Sequence, residues 1–85
     1  MTIDTKTKIA VCSRSFSRNE VLRNELLSRY LNVKFNDDGL NLGGSSLVNF
    51  LLDADKAITA LEVIDEEILS QLPKLKVIGK YGVGL

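Results

Sequence analysis

Short apolar runs alternating with amphipathic segments of helical length predict an α/β fold, an open parallel sheet of about four strands with helices on both faces. Two observations carry this. The runs Lys8 to Cys12, Lys56 to Thr59 and Lys76 to Gly79 are brief and apolar, as strands buried in a parallel sheet are. The segments between them open on capping residues and repeat apolar side chains every three to five positions, as one face of a helix does. No internal repeat, linker or low-complexity tract interrupts the alternation, so right-handed βαβ units are expected throughout.

The first strand is expected at Lys8-Ile9-Ala10-Val11-Cys12, after a polar lead from Met1 to Thr7. Ser17 and Glu20 have the spacing of a capping box. Val21, Leu22, Leu26, Leu27, Tyr30 and Leu31 then form an apolar stripe, which predicts one helix over roughly Arg18 to Leu31. Val33 to Phe35 makes a short second strand, stopped by the turn formers Asn36-Asp37-Asp38-Gly39. Gly43-Gly44-Ser45 precedes Leu47, Val48, Phe50, Leu51 and Leu52, so a serine is expected to cap a second helix whose wide apolar face must be buried. Lys56 to Thr59 reads as the third strand. Asp65 to Leu72 reads as a third helix with acidic residues in its first turn and Pro73 as its stop, and Lys76 to Gly79 as the fourth strand.

Composition narrows the function classes. Of the 85 residues 45% are hydrophobic and 26% charged, which is ordinary globular composition and enough for one small domain. Eleven Lys plus Arg balance eleven Asp plus Glu, so no net positive field is available for a nucleic-acid backbone. Apolar runs of a few residues fall far short of the roughly 20 needed to cross a bilayer, so neither a membrane nor a nucleic acid is expected as a partner. Cys12 is the single cysteine and the N-terminus has no signal-peptide pattern, which points to a reducing cytoplasm. Without any histidine the chain lacks the commonest general acid or base and the commonest metal ligand.

Ligands of open α/β sheets bind at the carboxyl ends of the strands. Four loops occupy that position, at Cys12 to Arg18, Asn36 to Gly44, Thr59 to Glu62 and Lys80 to Leu85. The last follows a distinctive segment, Leu72-Pro73-Lys74-Leu75-Lys76-Val77-Ile78-Gly79-Lys80-Tyr81-Gly82-Val83-Gly84-Leu85. It resembles the "LPxLKxI" strand and following "GVGxDN" loop of the D-isomer-specific 2-hydroxyacid dehydrogenases, the phosphoglycerate dehydrogenase-like family. Asp53-Ala54-Asp55-Lys56-Ala57-Ile58 is similar to that family's "DADAVI" segment, and Val63-Ile64-Asp65-Glu66-Glu67-Ile68-Leu69 to its "VTxELL" helix start. These segments cover the second half of the chain in the family's order.

The resemblance implies a flavodoxin-like substrate-binding domain with sheet order 2-1-3-4-5, truncated here after about four strands, residues 1–85 being its N-terminal part. The parent activity would be NAD-dependent oxidation at the CH-OH group of a D-2-hydroxyacid. The backbone around Tyr81, Gly82, Val83 and Gly84 would hold the carboxylate of a 2-hydroxy or 2-keto acid, since successive peptide N–H groups in a glycine loop make an anion site. The Rossmann domain that binds NAD, the clamping arginine and the glutamate-histidine pair would all lie beyond these residues. The chain alone is therefore expected to be inactive and to bind no cofactor. An outer strand with no neighbour would leave a row of unpaired peptide groups, so a homo-oligomer through that sheet edge is expected.

Other readings compete with this one. The same fold without the reaction would make a stand-alone binding or self-assembly module. Cys12-Ser13-Arg14-Ser15-Phe16-Ser17-Arg18 has the C-x5-R spacing of a phosphocysteine loop, although no glycine lets its amides converge. Gly79, Gly82 and Gly84 stand in the wrong order for a dinucleotide fingerprint. Asp37 and Asp38 beside Gly39 fit a solvated turn better than a metal site. Gly43-Gly44-Ser45-Ser46 has no following Lys to complete a phosphate loop, so helix capping is the simpler account.

Overall fold

Side chains along a strand alternate between the two faces of a sheet, and Ile9-Ala10-Val11-Cys12 puts apolar groups on both. The structure, a computed structural model, describes residues 3–60, 62 and 64–81. β1 (Asp4–Val11) leads through α1 (Arg14–Arg18) and α2 (Glu20–Leu27) to β2 (Tyr30–Phe35). Then come α3 (Gly44–Leu51), β3 (Lys56–Thr59), α4 (Glu66–Ser70) and β4 (Val77–Lys80). All four strands are parallel, in the order β2-β1-β3-β4. This is the open parallel α/β sheet that the alternation predicts, in the flavodoxin-like order that the resemblance implies. Ala10 lies between Lys34 of β2 and Ala57 of β3, and Ala57 in turn beside Ile78 of β4.

Two apolar clusters follow from the alternation. On one face Ala10, Cys12 and Ala57 pack with Leu47, Val48 and Leu51 of α3 and Ile68 of α4. On the other, Ile9 and Val11 pack with Phe16 of α1 and with the partly buried Leu22 and Leu26 of α2. Leu47 and Leu51 are fully buried, each stabilising the fold by about 1.5–3 kcal/mol relative to an exposed position. α2 contributes less, since none of its residues is buried and Val21 is 72% exposed. No helix among the described residues is long and apolar enough to cross a membrane.

The single helix expected over Arg18 to Leu31 is two helices and the start of a strand. Ser13, four residues earlier than the expected cap, accepts from the Phe16 N–H at 3.1 Å and starts α1. Asn19 is extended (φ −85°, ψ 108°), which breaks the helix, and its Oδ1 accepts from the Leu22 N–H at 3.1 Å to start α2. Ser17 is no cap; it is buried inside α1. Tyr30 and Leu31 leave the helical stripe because pairing with β1 claims them for β2. β1 also begins earlier than expected, at Asp4, with an irregularity between Asp4 and Lys8. There the Asp4 carboxylate accepts from the Thr7 hydroxyl and the Thr7 and Lys6 N–H groups, which lowers its pKa below the ordinary value.

The start of α3 differs as well. Gly43 is its N-cap, and Ser46 reaches back, its hydroxyl accepting from the Gly43 N–H at 3.1 Å and donating to the Gly43 carbonyl at 2.8 Å. Ser45 stays exposed. β4 is exposed along its whole length, with Val77 at 50% and Ile78 at 42%, because among the described residues no strand pairs with its outer edge.

Candidate functional site

In an open parallel sheet a crevice forms at the carboxyl ends of two neighbouring strands whose connections leave in opposite directions. With β1 connected toward β2 on one side and the chain returning to β3 on the other, that point lies between β1 and β3. A cavity of about 180 Å³ opens there. One wall is Ser13, Arg14 and Ser15 after β1, the second Asn41 and Leu42, and the third Ala60 and Glu62 after β3.

The walls are held by a buried polar network. Asn36, 3% exposed, donates from Nδ2 to the carbonyls of Cys12 and Leu40, both at 2.9 Å, and its Oδ1 accepts from the Leu40 N–H at 2.9 Å. The Asn36 N–H donates to Ser17 Oγ at 3.0 Å, and that hydroxyl donates to the Ser13 carbonyl at 2.7 Å. The end of β1, the start of α1 and the loop after β2 are thereby fixed to one another. Gly39 completes the turn at φ 65°, a left-handed conformation that side chains disfavour, and Arg18 Nη2 lies over it, 3.2 Å from where a Cβ would stand.

Charge is placed with some economy. Arg23 pairs with Asp37 at 2.6 Å and lies 3.9 Å from the centre of the Phe35 ring, so Asp37 belongs to a surface turn, as the sequence suggests. That is the one ion pair among the described residues, and it leaves the exposed Arg14 at the crevice uncommitted. Glu62 accepts from the Ala60 N–H at 2.8 Å, a local turn after β3, and its charge is near enough to the end of β1 to act on Cys12. A broader cavity of about 560 Å³ adjoins the crevice, shares Leu42 and Glu62 with it, and runs along α3 and α4. A third recess, about 260 Å³ and lined by Lys8, Asn32, Lys34 and Asp53, lies toward the amino ends of the strands, away from the loops. There Lys34 is engaged with the Phe50 ring, 4.6 Å from its centre.

Of the residues singled out for substrate binding, Gly82, Val83 and Gly84 lie outside the described residues. The Tyr81 ring meets Phe16 edge to face (5.2 Å, 88°), and its N–H donates to the Thr59 carbonyl at 2.6 Å. The loop after β4 therefore starts at the same end of the sheet as the crevice. Cys12 is fully buried on the α3 side, opposite α1, while Arg18 reaches over Gly39. Burial, and secondarily the Glu62 charge, push the thiol up to about 12, so the thiolate a phosphocysteine needs is disfavoured. Among the described residues no cluster of acidic, cysteine or histidine side chains could hold a metal ion.

The turn after β1 is Cys12, Ser13 and Arg14, two of them buried, where the dinucleotide fingerprint carries glycines. No protein-family model, curated protein or solved structure matches the chain.

Proposed function

We propose that the chain is the carboxylate-binding part of an oxidoreductase acting on 2-hydroxy acids, with the β1/β3 crevice as its substrate site. The observation that carries this is Arg14, exposed and without an ion-pair partner among the described residues, on the wall of a prearranged cavity at the switch point. A guanidinium presents two parallel N–H donors in the geometry of a carboxylate. Ser15 and Asn41 offer further polar groups, and Leu42 supplies an apolar floor. The resemblance of Leu72 to Leu85 to the D-2-hydroxyacid dehydrogenases supports the same substrate class, since in that family the segment matching Gly82, Val83 and Gly84 is implied to hold the substrate carboxylate. NAD would be held by a separate dinucleotide-binding unit, and a single buried cysteine suits a reducing cytoplasm.

Calorimetric titration with sodium D-lactate tests this. Binding of a ligand so small is expected near 1 mM, about −4 kcal/mol. Arg14→Gln should weaken it by about tenfold, the loss of one charge-assisted pair. Wild-type affinity in that variant would remove Arg14 from the site.

A second reading, self-association through β4, has its own observation, the exposed Val77 and Ile78 on an edge that no strand among the described residues pairs with. Val77 and Tyr81 donate their N–H groups toward β3, so Ile78 and Lys80 turn theirs outward. An antiparallel pair centred on Gly79 would set Ile78 opposite the partner copy's Lys80 and let the two backbones approach closely at the glycine. Lys76 and Lys80 oppose the pairing by charge repulsion, so a dimer seen by sedimentation should strengthen with salt. A monomer at every salt and protein concentration would eliminate this reading.

A further inference from the structure

We propose that Glu62 makes the β1/β3 crevice selective for a carboxylate carrying a hydroxyl on C2 over the corresponding 2-oxo acid, so that the site prefers the alcohol member of the substrate couple. The inference rests on reading the crevice as a carboxylate site. Arg14 and Glu62 line the same small cavity, and they are opposite in what they can offer a ligand. The guanidinium has donors alone, and an ionised carboxylate acceptors alone.

Once the ligand's carboxylate is paired with Arg14, its C2 oxygen stands beside that carboxylate, inside the cavity. A hydroxyl there can donate to Glu62. A ketone oxygen has lone pairs and no proton, so beside Glu62 it meets another acceptor and leaves both groups unsatisfied. Asn41, also on the wall, carries both a donor and an acceptor and serves either form without choosing between them. Glu62 is also held in place. Its Oε1 accepts from the Ala60 N–H at 2.8 Å, and Oε2 has no partner among the described residues. The bond to Ala60 needs an acceptor, which a glutamine carbonyl oxygen can replace, leaving the amide N–H₂ where Oε2 now stands.

The test is a set of titrations at fixed ionic strength with D-lactate, pyruvate and alanine, on the wild type, Glu62→Gln and Arg14→Gln, with folding checked by circular dichroism. The wild type should bind lactate about tenfold tighter than pyruvate, the scale of one unpaired polar group. Glu62→Gln should bring the two within about twofold, because its amide can donate to the ketone. Arg14→Gln should weaken both by a similar factor. Equal wild-type affinities, both sensitive to Arg14→Gln, would overturn the role of Glu62 and leave the carboxylate site standing. No binding of either acid would overturn the carboxylate reading itself. Alanine binding tighter than lactate would overturn the hydroxyl assignment in favour of an ammonium.

Discussion

Replacing Asn36 by Ala should remove both stability and the shape of the crevice. The carboxamide makes three hydrogen bonds, to the Cys12 carbonyl and to both backbone groups of Leu40, and the residue is 3% exposed. Each bond contributes a net ~0.5–1.5 kcal/mol, and a partner left buried and unsatisfied costs ~1–3 kcal/mol, so a loss of about 2–4 kcal/mol is expected. A chain of 85 residues has about 4–13 kcal/mol in total, which makes this a large fraction. Urea unfolding followed by circular dichroism measures it. Amide exchange supplies the second readout, because Leu40 and the loop to Leu42 lose their attachment to β1 and should exchange faster while β3 does not. A loss below about 0.5 kcal/mol, or unchanged protection at Leu40, would refute the idea that this network holds the crevice wall.

Cys12 should resist thiol reagents in the native state at pH 8 and react at once on unfolding; rapid native labelling would contradict its burial. The folded thiol ionises near 12 against an ordinary value of 9.0, so the neutral form favours folding and its contribution is lost as pH rises from 9 toward 12. The stability difference between the wild type and Cys12→Ala should shrink over that window in denaturation curves, and a constant difference would count against it. Gly39→Ala should cost about 1 kcal/mol in the same assay, mostly from the left-handed backbone, since the flexible end of Arg18 can move aside. Unchanged stability would argue against that turn geometry.

The sheet was legible in the sequence because its signal is local. Lys56 to Thr59 is a strand with the expected bounds, and Lys76 to Gly79 differs from β4 by one residue at each end. Helix limits were harder. Ser17 and Glu20 have the spacing of a cap, yet Ser13 and Asn19 do the capping: Ser17 is buried inside α1 with its hydroxyl donating to the Ser13 carbonyl, while Asn19 caps α2 from an exposed break between the helices. The four loops at the strand ends followed from topology alone, and three of them supply the crevice walls. Individual roles did not follow. Asn36 reads as a turn residue, and nothing in its neighbours along the chain announces bonds to Cys12, 24 residues away. Arg14 and Glu62 lie within loops already marked out, but their meeting across one cavity depends on β1 and β3 being neighbours. Tyr81 packs edge to face on Phe16, a contact that its neighbours along the chain do not announce.

Mapping of backbone amide shifts on addition of D-lactate is the most direct measurement of the central claim, that the β1/β3 crevice is the ligand site. The largest changes should fall on Ser13 to Ser15, Asn41 and Leu42, and Ala60 and Glu62, saturate together, and fade in Arg14→Gln. Changes centred instead on Lys8, Asn32 and Lys34 at the other end of the sheet, or none at saturating ligand, would contradict it.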